Sequence, residues 1–523
     1  MFARLRDFEP DLLACAALAA ALTCVAYLLQ AHVGLAPQDE GYLWYGVEAV
    51  VRGEWPLRDF RSYDPGRYLW CAAFEHVFGG GILVLRAACA SFAAIGLTAG
   101  LLVLRRCTRT WFATISGGLL LLAWQFPSWR SFDAALALVA VYTAARLAER
   151  PSARRTFAAG ILVGLAAFFG RNHGLYLGVA FVGVLVLGGA REGRAPGLRG
   201  PAALVGGTLL GYAPMFAAIA VVPGFARAFY ESILFYVGRS SLNVPFPATW
   251  PWTVDAERLQ GVELVSAYAL SAVFVLFVVG YAALGFVVLR DRIRRASPTP
   301  ELVAALCVGL PYVHLVAERS DIYHVAVTVA PLLLGVVALA CEFQRARGAS
   351  SAPGRSFGAV TLVVLFAISV FAIGTQQPLG RRLAARGSPR EYVAFDARGS
   401  TLEVDAQVAQ RLDAVRARIE REVPSGEPIL LGSKLLALYP LLGRKAPVWD
   451  VYPLWPADDE AQQRMLDELS SVRWVFLQDL GVGGVEERRF ANTHPKVWRR
   501  LEQDFDRVPT PELPDNFLFL RRR

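Results

Sequence analysis

The sequence predicts a polytopic α-helical membrane protein with about eleven transmembrane helices, followed by a small α/β domain outside the membrane. Three observations lead there. Hydrophobic residues make up 55% of the 523 positions and charged residues 19%, against about 25% charged in soluble chains. Long runs free of Asp, Glu, Lys and Arg recur through the first 380 residues. Beyond 380 the composition becomes that of a soluble domain. A soluble globule has no means of covering so much apolar surface, so an ordinary cytosolic enzyme and a disordered chain are both excluded.

The uncharged runs are 12–38, 87–104, 110–129, 134–145, 156–170, 172–190, 200–226, 264–289, 302–317, 322–341 and 356–380. A bilayer core takes about 20 apolar residues per helix. The run 134–145 is short, but Ser131 and Phe132 extend it past Asp133. A charge near a helix end reaches the interface. Run 12–38 exceeds the apolar core of a signal peptide, about 7–15 residues, and reads as an uncleaved first helix.

Arginine placement sets the orientation. Arg4 and Arg6 precede the first run. Alternate connections then carry Arg105, Arg106 and Arg109; Arg146, Arg150, Arg154 and Arg155; Arg191, Arg194 and Arg199; Arg290, Arg292, Arg294 and Arg295; and Arg345, Arg347 and Arg355. The N-terminus is therefore expected in the cytoplasm, and the C-terminal domain on the periplasmic or extracellular side. The expected division is a transmembrane domain at 1–380, with outer loops at 38–86 and 223–263, and an extracytoplasmic α/β domain at 381–523.

In loop 38–86 arginines and acids alternate, with Trp44, Tyr45, Trp55, Tyr63, Tyr68 and Trp70 among them. This composition suggests a surface at headgroup level. Loop 223–263 holds Pro245, Pro247, Trp250, Pro251 and Trp252, so irregular backbone with aromatic anchors is expected. In the last segment, 403–422 has helical spacing. Short apolar runs at 428–432, 447–452, 474–478 and 516–520 read as strands, separated by helices at about 458–471 and 494–503.

Several chemistries find no support. There is no G-x-x-x-x-G-K-[ST], no H-E-x-x-H and no G-x-S-x-G. The seven cysteines include no C-x-x-C and read as small buried hydrophobes. The excess of basic over acidic residues, 53 to 44, is mostly arginine punctuating apolar runs, so nucleic acid is not an expected partner. No metal-ligand set is visible, and neither a metal nor another cofactor is expected.

The informative stretch is 38–86. Two adjacent acids, Asp39 and Glu40, stand at the outer end of the first span, where Gly41 alone would end a helix. One reading is a solvated helix end. The other is a carboxylate at the membrane surface, placed to act as general base on a hydroxyl. The series Asp39-Glu40-Gly41-Tyr42; Arg52, Gly53, Pro56, Arg58, Asp59 and Phe60; Pro65, Gly66 and Tyr68; Phe78, Gly79 and Arg86 resembles the first outer loop of GT-C integral-membrane glycosyltransferases. The likeness is to the bacterial branch related to protein O-mannosyltransferases and to the aminoarabinose transferase of lipid A. It covers about 50 residues; the remaining spans and the C-terminal domain fit as architecture.

The resemblance implies sugar transfer from a polyprenyl-phosphate-linked donor to a hydroxyl of a glycolipid, polysaccharide or protein outside the cytoplasm. In it, the acid at Asp39 is the catalytic carboxylate. Glu40 and Asp59 are further catalytic candidates; for Asp59, a structural ion pair with Arg58 or Arg61 is the alternative. Such a donor keeps its tail among membrane lipids and its phosphate at the interface. The departing phosphate needs cationic groups. Candidates are Arg58, Arg61 and Arg67 of the first loop, the Arg171-Asn172-His173 break, Arg239, and the string Arg319-x-Asp321-x-x-His324. His314 reads as a hydrogen-bonded packing residue, and Asp133 and Glu75 as members of buried pairs. Abundant alanine and arginine with only three lysines point to a GC-rich bacterial genome, hence to the bacterial inner membrane. The rival readings are a transporter or flippase of a lipid-linked glycan, which would need an internal repeat, and a polysaccharide polymerase or ligase.

Overall fold

The computed structural model describes residues 11–108, 110–188, 199–238, 246–346, 352–432 and 434–523. Arg4, Arg6, Arg109, Arg191, Arg194, Arg239, Pro245, Arg347 and the side chain of Arg355 lie outside the described residues.

In chain order the elements are α1 (Leu12–Gln30), α2 (Asp39–Val51), α3 (Pro65–Phe78), α4 (Ile82–Thr108), α5 (Trp111–Ala123), α6 (Ser131–Glu149), α7 (Ala153–Phe169), α8 (Arg171–Gly188), α9 (Arg199–Gly211), α10 (Ala213–Val221) and α11 (Phe225–Val237). Then come α12 (Gly261–Ile293), α13 (Pro300–Glu318), α14 (Ile322–Ala346), α15 (Ala352–Ile373) and α16 (Pro378–Ala384). The last segment holds β1 (Tyr392–Ala397), β2 (Ser400–Asp405), α17 (Ala406–Glu422), β3 (Ile429–Gly432), α18 (Leu438–Leu442), α19 (Asp459–Glu468), β4 (Trp474–Gln478), α20 (Phe490–Thr493), α21 (Pro495–Asp504), β5 (Phe505–Val508) and β6 (Phe517–Arg522).

Each of the eleven apolar runs contains helix, but not every run is one long straight helix. Among the described residues seven helices are long and apolar enough to cross a membrane, and nine if each of two bent pairs is one span. The breaks have local causes. In run 110–129 the helix α5 stops after 13 residues, ahead of Phe126-Pro127. Run 200–226 bends by 47° between α9 and α10, where Pro214 withholds an N–H and crowds the preceding turn. Run 356–380 bends by 63° before Pro378. Gly170, in extended backbone, separates the 17-residue α7 from α8.

The chain forms two compact units. One comprises 1–29, 89–218 and 245–380; the other comprises 30–88, 219–244 and 381–523. The division expected at 380/381 is thus only one of several boundaries, because the first outer loop belongs with the C-terminal segment. Backbone bonds explain this grouping. Gly34 N–H donates to Glu403 O (2.7 Å), Glu403 N–H to His32 O (2.7 Å), Ala437 N–H to Pro37 O (2.9 Å) and Arg61 N–H to Trp449 O (2.8 Å).

The first unit is a helical bundle and makes the chain a polytopic α-helical membrane protein. Helices α6, α13 and α14 are its buried interior, while α12 leaves Val278, Phe286 and Leu289 exposed on an apolar face. Helices α7 and α9 meet through two small-x-x-x-small pairs, Gly160/Gly164 and Gly207/Gly211. A Cβ at Gly160 would lie 2.2 Å from Leu204 O, and one at Gly207 2.1 Å from Phe157 O. Only glycine permits that approach.

The second unit is α/β. Its sheet runs β3-β4-β6-β5, with β3 and β4 parallel and the other neighbours antiparallel; β1 and β2 form a separate hairpin. Leu430, Met465, Val475, Leu477, Leu501 and Phe505 share its core. The runs read as strands become β3, β4 and β6, but 447–452 is irregular, and 403–405 closes β2 rather than opening a helix. The 223–263 segment also departs from expectation, since α11 is a regular helix. Three of the six aromatic residues named in the first loop are packed inside the unit, while Tyr63 is exposed and Trp55 and Trp70 are half-buried. Trp44, Tyr45 and Tyr68 are 0–2% exposed, and Phe60 packs between Tyr45 and Tyr68 at ring-centroid distances of 5.9 and 5.8 Å.

Candidate functional site

The predicted site residues divide between the units. Asp39, Glu40, Arg58, Asp59, Arg61 and Arg67 belong to the α/β unit; Arg319 and His324 belong to the bundle.

In the α/β unit the two adjacent acids have different environments. Asp39 and Glu40 open α2, where carboxylates suit the helix dipole. Glu40 is 1% exposed. Arg86 meets it with a fork, Nε to Oε1 at 2.7 Å and Nη2 to Oε2 at 2.8 Å. The same guanidinium donates to Ala31 O (2.5 Å) and Gly34 O (2.7 Å), and Ala36 N–H adds a bond to Glu40 Oε2 (3.3 Å). Glu40 is therefore committed to fixing the chain that enters α2. Asp39 is exposed and forms no ion pair among the described residues. Gly41 follows because α2 packs closely here: a Cβ would come 2.5 Å from Ala437 N.

Arg58 and Asp59 engage each other, Nη2 to Oδ2 at 2.7 Å and Nε to Oδ1 at 2.9 Å. Asp59 also accepts Trp55 N–H (2.7 Å), and Arg58 donates to Pro223 O (3.1 Å). Burial opposes the charge on Asp59, but the Arg58 and Trp55 donors prevail and hold its carboxyl below the ordinary value. Arg61 donates to Asp450 Oδ2 (2.6 Å) and lies over Phe235, 4.3 Å from the ring centre. Its carbonyl accepts Tyr42 O–H at 2.8 Å. Arg67 is 7% exposed, with its guanidinium 4.6 Å from the Tyr63 ring centre. All three arginines are thus engaged by partners within this unit. Glu75 is buried with Oε1 unbonded, and it forms no ion pair among the described residues.

In the bundle, the turn between α13 and α14 gathers Arg319, Asp321 and His324. Arg319 pairs through Nε with Asp321, and its guanidinium lies 4.8 Å from the Phe246 ring centre. Asp321 Oδ1 accepts from His324 N–H (3.0 Å) and stands 2.7 Å from His324 Nδ1. Burial opposes charge on Asp321, yet His324 and Arg319 hold its carboxyl well below the usual range. His324 Nε2 lies 3.3 Å from Nη1 of Arg130. An arginine only donates, so the network assigns the Nδ1–H tautomer, with Nε2 accepting from Arg130. Arg130 is the residue that sequence reasoning missed; its signal was its place between two apolar runs, three residues before Asp133.

One turn further, Asp133 pairs with His173, Oδ1 to Nε2 at 2.9 Å, and His173 Nδ1 lies 3.0 Å from Tyr312 OH. This Asp–His–Tyr line joins α6, α8 and α13. His314 bonds Tyr176 OH at 3.0 Å.

A helical membrane bundle with a mixed α/β unit, its charged groups gathered at helix ends and turns, defines the class. The fold is that of ArnT. The chain is similar to ArnT from Cupriavidus metallidurans bound to undecaprenyl phosphate, at 14% identity over 96% of this chain and 97% of that one, with a TM-score of 0.51. It matches the same protein in the apo state over the same shares, at 14% identity and a TM-score of 0.52. At that identity the likeness is one of fold. No protein-family model and no curated protein matches the sequence.

Proposed function

We propose that this chain is a GT-C-type glycosyltransferase of the bacterial inner membrane. It moves a sugar from a polyprenyl-phosphate donor to a hydroxyl of an extracytoplasmic glycolipid, polysaccharide or protein. The observation that carries the reading is the contrast between adjacent acids: Glu40 is fixed by Arg86, and Asp39 is exposed on the anchored turn with no ion pair among the described residues. The ArnT fold supports it, because the solved ArnT holds undecaprenyl phosphate.

In this mechanism the acceptor oxygen attacks the anomeric carbon, and its proton passes to Asp39. The bond from that carbon to the donor phosphate breaks, and polyprenyl phosphate leaves. Within the bundle, Arg130, Arg319 and His324 gather the cationic charge that a phosphate needs. Asp321 fixes the histidine ring and leaves a net positive corner. One such donor contributes about 10²–10³ in rate, and a positioned base about 10²–10⁴. Glu40 and Asp59 act as positioning residues, the first through Arg86 and the second through Arg58. Arg58, Arg61 and Arg67 shape the loop around the base. The N-terminus faces the cytoplasm, and the α/β unit lies outside.

The test is transfer of labelled sugar from a polyprenyl-phosphate donor by the full chain in membranes, compared between wild type, Arg130→Ala and Arg319→Ala. A fall in transfer with retained folding supports the reading; wild-type rates from both folded variants would overturn the phosphate assignment.

A further inference from the structure

Three lysines occur in 523 residues, and they differ in one respect. Lys445 pairs with Glu54 (3.3 Å) and Lys496 with Asp459 (2.8 Å). Lys434 is half-buried and forms no ion pair among the described residues; its Nζ reaches only the carbonyl of Gly481, at 3.4 Å. Burial pushes the Lys434 ammonium below its ordinary pKa. A partly desolvated cation without a carboxylate is costly to keep unless something else supplies the negative charge.

Its position is also distinctive. Lys434 follows β3, and Gly481 follows β4, so the lysine sits at the carboxyl edge of two parallel strands. The acid at the end of β4, Asp479, is already held by Arg489, with Nε to Oδ1 at 3.1 Å. Gly483 and Gly484, at φ +68° and +78°, turn the chain beside it. Lys434 lies three residues from Ala437, at most about 11 Å of extended chain. Ala437 donates its N–H to Pro37 O and abuts Gly41, so it brackets the turn that carries Asp39.

We propose that Lys434 captures an acidic group on the acceptor saccharide, a phosphate ester or a carboxylate, at the carboxyl edge of β3 and β4 beside the Asp39 turn. The proposal rests on the transferase reading for the word acceptor, but the binding itself does not depend on turnover. It gives the α/β unit a role in selecting which hydroxyl is presented to the base.

The small number of lysines makes the test direct. The full chain in lipid nanodiscs is reductively methylated and the modification at Lys434, Lys445 and Lys496 read by mass spectrometry, with glucose 6-phosphate, glucuronate or glucose present. At a probe concentration about ten times its Kd, Lys434 labelling is expected to fall about tenfold with an acidic sugar, in step with the unoccupied fraction. Labelling should be unchanged with glucose and at the other two lysines. The same protection in Asp39→Asn separates anion capture from base chemistry. Equal labelling with and without both acidic sugars, or equal protection by glucose, overturns the proposal. So does a Lys434 that the reagent never reaches, since it would be closed to a ligand as well.

Discussion

Arg86 grips Glu40 through two parallel N–H···O contacts of 2.7 and 2.8 Å, and the neighbouring Asp39 is exposed, with no ion pair among the described residues. The two acids are adjacent in sequence and opposite in environment: one is buried and fixes the entry to α2, and the other is exposed. Removing one partner of a buried pair strands the other's charge, at about 3–5 kcal/mol. Glu40→Gln and Arg86→Gln should each lower the thermal unfolding midpoint of the purified protein markedly. If Glu40→Gln unfolds with the wild-type midpoint, the pair is not what holds the turn.

The bundle corner makes a separate prediction. His324→Ala and Arg130→Ala should each reduce transfer about 10²–10³-fold, and the double variant should fall well short of the product of the two, as expected of neighbouring groups proposed to hold one phosphate. A double-variant cycle of transfer rates reads this. Fully multiplicative losses would mean that the two residues act independently, despite their 3.3 Å separation.

Glu75 supplies a pH dependence. Its carboxyl is raised from 4.5 to about 7, first by burial and then by the charge of Glu48. A raised folded value means that the folded state binds the proton more tightly than the unfolded one. The contribution is fully present below about pH 4.5, is lost as pH rises toward 7, and leaves the protein less stable above that by up to about 3 kcal/mol. Glu75→Gln should flatten unfolding midpoints between pH 5 and 8 and raise the midpoint at pH 8. Identical pH profiles for wild type and variant would show that Glu75 is not the group responsible.

Because arginines and a histidine are assigned to the phosphate, transfer should persist in the presence of a chelator. The check is the initial rate with and without EDTA. Complete loss, restored by adding a divalent ion, would contradict the assignment.

Much of the fold was legible in local pattern. Uncharged runs marked every helix of the bundle, and the composition change near 380 marked the α/β segment, because desolvation acts on each stretch by itself. What hydropathy does not carry is continuity: a run without charges reads the same on either side of Pro214 or Pro378. Nor does it carry long-range partnership. Nothing near Val33 announces its bridge to Glu403, and the six residues 447–452 look like a strand although their backbone meets Arg61 instead. At the site, the conspicuous string 38–86 located Asp39 and Glu40 but did not separate them, since that requires knowing where Arg86 reaches. Arg130 was passed over because its partner, His324, stands almost 200 residues later.

The most direct measurement is Asp39→Asn in the full chain, reconstituted in nanodiscs, with transfer from a polyprenyl-phosphate sugar and thermal unfolding recorded on the same preparation. The change alters an exposed side chain, so the unfolding midpoint should move by no more than about 0.5 kcal/mol equivalent, while transfer drops about 10²–10⁴-fold. A folded Asp39→Asn protein that transfers sugar at the wild-type rate would contradict the account.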